Sequence, residues 1–219
     1  MTRDAGTQGN SDQSAQTALQ PQGIFQTPLW IRRVVDFEAR NAEIMSHLPA
    51  LQQQDGEQRS NMGGWHSTSQ LHLDERLAPI RKIIGTTCVQ CAIAMEFNFD
   101  AYDLVLNEMW INVNGPGHSN KAHIHAGSFL SGAYYVQVPE NSGNIEIYDP
   151  VVARVASPYP VRTQSVSNAN YVAHKCAAGD LVIFPGWLQH GVQMNESDAD
   201  RISISFNMVH RPRTHQSTE

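Results

Sequence analysis

Cysteine is scarce in this chain of 219 residues: there are 3, which cannot all pair with one another and suggest no disulfide framework. Such usage fits a reducing compartment. Cys88-Val89-Gln90-Cys91 has the spacing of a redox or zinc pair, yet no second pair follows and the flanking pattern is apolar and helical. A buried structural role is the expectation for both. An excess of basic charge is also missing. Lys and Arg number 15 against 21 Asp and Glu, a net charge of −6, so no broad basic surface exists for a phosphate backbone and no nucleic acid partner is expected. Nor does any apolar run approach the roughly 18 residues needed to span a bilayer, and residues 1–20 lack the apolar centre of a signal peptide. A soluble, cytoplasmic protein without a membrane partner is expected.

What is present reads as globular. Hydrophobic residues make up 41% and charged residues 16%, with 4 Trp and 11 Pro. The length suits one domain with a sizeable core. Residues 1–21 are rich in Gln, Ser, Thr, Asn and Gly and offer little to bury, so a disordered tail is expected there. Residues 22–219 then form a single domain, with helical support over 34–98 and a β core over 102–210.

Within that domain, Ile24 to Ile31 alternates in part and contains Pro28, which suits an edge strand. Phe37, Ile44, Met45, Leu48 and Leu51 recur at helical spacing, with Asp36 as the expected cap. Leu77, Ile80, Ile84, Cys88, Cys91 and Met95 repeat the pattern, predicting a second helix over Leu77 to Phe97 with Pro79 in its first turn. After Asp103 the period changes to two. Strands are expected at Val105–Val113, Ala122–His125, Ser128–Val138, Asn144–Tyr148, Tyr171–Lys175, Leu181–Phe184, Gly191–Gln193 and Arg201–Val209. Pro150 to Ala169 shows little periodicity, and a loop of that length is expected to act as a lid or binding loop. The fold class is therefore mainly β with flanking helices: a double-stranded β-helix, or cupin-like jelly roll, behind an N-terminal helical layer.

The chemistry concentrates in the second half. His123 and His125 are one residue apart, which on an extended strand puts both rings on one side. His190 ends a short apolar strand further on, and Arg201 opens an alternating strand with Ser203 on the same face. Three imidazoles and a guanidinium are the natural holders of a metal and an anchored anion. For Arg201 the competing reading is a surface arginine paired with Asp198 or Asp200. Tyr134 and Tyr135 must face opposite ways, and Tyr135 is the one assigned to the cavity. Asn112, Asn120 and Asn207 are further candidates for its lining, and His66, His118, His174 and His210 show no partner pattern.

The order His123-Ile124-His125, Ser131-Gly132-Ala133-Tyr134-Tyr135, Phe184-Pro185, His190 and Arg201-Ile202-Ser203-Ile204-Ser205-Phe206-Asn207 resembles the iron(II)- and 2-oxoglutarate-dependent dioxygenases, and among them those of marine bacteria and their phages. The likeness runs from about Gln22 to Val209. It implies Fe(II) held by His123, His125 and His190, and 2-oxoglutarate held by Arg201, Ser203 and Tyr135, with no catalytic residue beyond the metal centre. It also implies hydroxylation of a small-molecule or peptide substrate by O2, with release of succinate and carbon dioxide; a homodimer is compatible with it. One position departs from the pattern, because Asp or Glu usually stands where this chain has His125. Either the metal has three neutral ligands, which would tolerate zinc or nickel, or a carboxylate such as Asp149 replaces one histidine. Two other functions stay open: a non-catalytic cupin-like protein that binds a metal and a carboxylate, and a three-histidine metal oxygenase or isomerase that does not use 2-oxoglutarate.

Overall fold

The computed structural model describes residues 23–213, so the tail expected over 1–21 lies outside the described residues. In chain order the elements are β1 (Trp30–Arg33), α1 (Phe37–Leu51), β2 (Asn61–Met62), β3 (Trp65–His66), α2 (Ala78–Ala94), β4 (Tyr102–Asn114), β5 (Ser119–His123), β6 (Leu130–Gln137), β7 (Ile145–Tyr148), α3 (Val152–Ala156), β8 (Tyr171–His174), β9 (Asp180–Pro185), β10 (His190–Val192) and β11 (Arg201–Pro212). Two antiparallel sheets result, one of six strands in the order β1-β9-β6-β11-β4-β3 and one of five in the order β2-β5-β10-β7-β8. This is the jelly roll that the strand pattern predicts. No helix among the described residues is long and apolar enough to cross a membrane.

Alternation along the strands of the larger sheet divides its two faces by composition. On the outer face Met109, Ile111, Val113, Tyr134, Val136, Ile202, Ile204, Phe206 and Met208 join one core with Ile44 and Leu48 of α1 and Ile80, Ile84 and Cys88 of α2. Burial of that size is the main term holding the helices to the sheet. One polar link fixes the register of α1: the buried Tyr134 hydroxyl donates to Asn41 Oδ1 at 2.6 Å, and Asn41 Nδ2 donates to the Val136 carbonyl at 2.7 Å. Cys88 and Cys91 lie in this core and burial pushes both thiols up, Cys91 to about 11, as their structural reading expects. The inner face is different. Ala133, Tyr135, Val182 and Phe184 form a smaller cluster with Ile145 and Leu188 between the sheets, and the rest of that face is polar apart from Trp110.

Several boundaries shift from the expected ones for local reasons. The edge strand starts at Trp30, after Pro28, whose ring nitrogen has no proton for a ladder bond. Asp36 does not cap α1 with its side chain; its backbone sits at φ 54 in the left-handed region and its carboxylate bonds no first-turn N–H. The second helix ends at Ala94, where the chain turns through Glu96 at positive φ, short of Phe97. The second strand of the β core, expected over Ala122–His125, runs over Ser119–His123 because Asn120 pairs with both Asn61 and Val192, and it stops before His125. Residues 150–169 include the short helix α3.

Candidate metal centre

Strand pairing in the smaller sheet brings two of the three histidines face to face. His123 at the end of β5 lies directly opposite His190 at the start of β10, and their ring centroids are 4.4 Å apart. His125 arrives differently. It sits beyond β5 in a turn, where its backbone N–H donates to the Gly186 carbonyl at 2.9 Å, and its ring lies 4.9 Å from His123 and 5.1 Å from His190. A side chain at Gly186 would collide with the Ser128 carbonyl, so glycine permits this close approach. Tertiary contact, and not strand alternation alone, thus places the His125 ring.

One nitrogen from each ring lies within 4.8 Å of the others, which leaves room for one ion between them. Two tautomers are set by the backbone. His123 Nδ1 lies 2.7 Å from the Lys121 carbonyl and His190 Nδ1 2.9 Å from the Leu188 carbonyl, so each Nδ1 carries the proton and each Nε2 keeps its lone pair for the centre. Burial pushes all three imidazoles toward the neutral form that ligation requires: His125 falls to about 3 and His190 to about 4, helped by their neighbouring rings, and His123 also falls. Asp149 is not in this group. Its carboxylate is engaged by Arg154 Nε at 3.2 Å and by the Val151 N–H at 3.0 Å. Among the described residues the available donor set is three imidazoles.

The inner face of β11 supplies the second half of the site. Arg201, only 2% exposed, lines the same cavity as the histidines, a narrow space of about 40 Å³, together with Ser203, Tyr135 and Asn112. Arg201 Nη1 donates to the Ser142 carbonyl at 3.1 Å, and among the described residues no carboxylate lies within ion-pair distance of it. Neither Asp198 nor Asp200 takes the role that a surface reading of Arg201 gives them. A guanidinium shut away from water without a counter-ion is costly, and burial pulls its pKa down from the ordinary arginine value. An anion supplied by a ligand would relieve that cost. Asn112 adds a second unmet demand, because its buried Oδ1 has no hydrogen-bond partner while its Nδ2 donates to Ser205 Oγ at 3.0 Å. Tyr135 is buried beside Cys176 and Arg201, and burial holds its phenol well above the ordinary tyrosine range, so it is a donor. Tyr134 points the opposite way, into the outer core.

Other expected site features fall elsewhere. The loop over 150–169 lines a separate apolar groove with Ile24, Phe25 and Tyr171, and none of its described residues lines the histidine cavity. His66, read from sequence as an ordinary histidine, is buried and stacks on Trp110 with centroids 5.5 Å apart and planes 16° from parallel. Beside it a second recess of about 210 Å³ opens from the histidines toward Glu108 and Asn207. His66 and Glu108 carried no sequence signal, since β3 pairing with β4 is what brings His66 to this wall.

Residues 108–207 match the family model described as "Putative 2OG-Fe(II) oxygenase". No curated protein sequence matches the chain significantly. Among solved structures, a Pseudomonas putida prolyl-4-hydroxylase superposes with a TM-score of 0.60 at 14% identity, over 84% of this chain and 94% of that one. The non-heme alpha ketoglutarate dependent carbocyclase SnoK from nogalamycin biosynthesis gives 0.60 at 14% identity, over 88% and 85%. HygX from Streptomyces hygroscopicus, solved with nickel, 2-oxoglutarate and hygromycin B, gives 0.52 at 14% identity, over 84% and 83%. At such identities the structures speak for the fold, and the family model, which covers somewhat under half of the chain, makes residues 108–207 similar to the 2OG-Fe(II) oxygenases, a family whose cofactors are Fe(II) and 2-oxoglutarate.

Proposed function

We propose that the chain hydroxylates an unactivated C–H bond of a small-molecule or peptide substrate, in the balance R–H + 2-oxoglutarate + O2 → R–OH + succinate + CO2. The observation that carries this reading is Arg201, buried without a carboxylate partner among the described residues in the cavity that the three histidines line. His123, His125 and His190 would hold the metal through neutral nitrogens. Fe(II) bound there supplies oxygen activation and the oxidation of the C–H bond, chemistry that no side chain can provide. Three uncharged ligands leave the centre more positive than a set with a carboxylate does, which strengthens its hold on an anionic co-substrate.

The remaining roles belong to side chains. Arg201 binds the distal carboxylate of 2-oxoglutarate with its planar fork, and Ser203 adds a hydroxyl from the same face of β11. Tyr135 donates to the same co-substrate from β6, the neighbouring strand. Phe184, packed on His190 with centroids 4.4 Å apart, and Trp110, 5.7 Å from His125, shield the centre from water. Anaerobic reconstitution with Fe(II) followed by titration with 2-oxoglutarate tests the assignment. Saturable binding with a metal-to-ligand charge-transfer band is expected; absence of both overturns it.

A further inference from the structure

The inner face of the larger sheet carries opposite charges at its two ends. Along β11 the inward residues are Arg201, Ser203, Ser205 and Asn207, and the facing residues of β4 are Asn114, Asn112, Trp110 and Glu108. Arg201 and the Asn207–Glu108 pair are six residues apart on one strand, roughly 20 Å at the usual rise. The histidines lie between these ends. His123 and His125 line both the cavity that contains Arg201 and the recess that contains Glu108. Glu108, Arg59 and Ser69 then continue into an open depression on the surface. One trough therefore runs from the buried arginine, past the metal centre, to Glu108 and solvent.

The far end of that trough is rich in acceptors. Glu108 is half-buried and forms no ion pair with any described Lys or Arg; its one side-chain partner among the described residues is Asn207, whose Nδ2 donates to Oε2 at 2.6 Å. Asn207 is committed, since its Oδ1 accepts from Ser131 Oγ at 2.7 Å. This relay holds the carboxylate in place and leaves Oε1 free. His66 Nδ1 lies 2.6 Å from the Ser67 carbonyl and so carries the proton, which leaves Nε2 as an acceptor; burial keeps the ring neutral. The arginine at the rim is already occupied, with Arg59 Nε and Nη2 on Glu57 Oε2 at 3.0 and 2.9 Å. Trp110 offers an aromatic wall between Glu108 and the histidines.

We propose that this recess is the substrate-binding site and that Glu108 is its specificity-determining residue, selecting substrates that carry a primary ammonium or guanidinium group. The identity of the site as a substrate site rests on the oxygenase reading above; the cation preference rests on the residues of the recess alone. A cationic group docked on Glu108 places the carbon chain behind it along Trp110 and toward the histidines. Anionic substrates meet an uncompensated carboxylate and are rejected.

The test uses the full chain and two probes of equal chain length, agmatine, which carries a guanidinium and an ammonium, and 1,4-butanediol, which carries neither. Binding is read from the NMR signals of the Trp110 indole and the His66 ring, so no turnover is needed. Agmatine is expected to shift both signals saturably and 1,4-butanediol to leave them in place. Glu108→Gln retains an oxygen for Asn207 yet loses the charge, and is expected to weaken agmatine about 10- to 100-fold, the worth of one charge-assisted bond. Glu108→Asp keeps the charge at shorter reach and is expected to recover part of the loss. Equal agmatine affinity in wild type and Glu108→Gln, or no shift in wild type, overturns the proposal. Calorimetry of 2-oxoglutarate binding to wild type is a separate readout: its failure removes the oxygenase reading and leaves the cation preference standing, whereas its success beside an agmatine failure does the reverse.

Discussion

The two faces of β11 carry the same backbone and opposite tasks. Outward, Ile202, Ile204, Phe206 and Met208 are buried against the helical layer. Inward, Arg201, Ser203, Ser205 and Asn207 look into the trough, and Arg201 and Asn207 are just as well buried. Burial alone therefore does not separate core from site in this protein. The difference lies in what satisfies each side chain: the outward residues are satisfied by neighbours within the chain, whereas Arg201 and the carboxylate of Glu108 lack counter-charges among the described residues, which a ligand would bring. Changes on the outer face should cost stability and spare affinity, and changes on the inner face should do the opposite.

The largest effect expected comes from the histidines that face this strand from the other sheet. His190→Ala leaves two imidazoles, one of them placed only by a turn, and should abolish stoichiometric Fe(II) binding by elemental analysis while the fold persists by circular dichroism. Full metal occupancy in that variant would mean that the ligand set is wrong. Next is the outer face. Phe206 is fully buried and packs over Gly132, so Phe206→Ala should destabilise the protein by about 3–5 kcal/mol in urea unfolding. Its 2-oxoglutarate affinity, measured where the variant is still folded, should be close to that of wild type.

Arg201→Ala reverses the pattern. It should weaken 2-oxoglutarate by about 2–4 kcal/mol in anaerobic calorimetry, because a charge-assisted bidentate contact is lost, with iron affinity retained. Arg201→Lys should recover only part, since an ammonium lacks the planar fork. Equal affinities in all three proteins would detach Arg201 from the co-substrate and erase the contrast between the faces. The smallest effect belongs to the polar link on the outer side. Tyr134→Phe removes the hydroxyl on Asn41 and should cost about 1–2 kcal/mol of stability by denaturant midpoint, with no change at the metal centre. A loss of 2-oxoglutarate binding in Tyr134→Phe would show that the faces are coupled through β6.

Much of the architecture was legible because its signals are local. The period-two runs of β4 and β11 and the three-to-four spacing of Ile80, Ile84, Cys88 and Cys91 reflect a face that must be buried, and the structure buries it. The order of His123, His125 and His190 along the chain suggested one donor set but not how it would assemble; the register of β5 on β10 brings His123 opposite His190. The Asp36 cap failed for a reason local pattern does not carry: its backbone is left-handed, which turns the side chain away from the helix.

What sequence determined by itself, then, is the set of alternating and helical faces, and with them the sheet that puts Arg201, Ser203 and Tyr135 on one side and Tyr134 on the other. Side-chain direction along a strand depends only on the parity of the residue number. Tertiary structure decided which partners each face would meet. It placed the His125 ring from a turn held by Gly186, kept Asp149 on Arg154 and out of the donor set, and left Arg201 with no carboxylate among the described residues. It also set Glu108 and His66 beside the centre, through contacts between residues far apart in the chain. Such contacts are fixed by sheet order and close packing, and no local spacing encodes them.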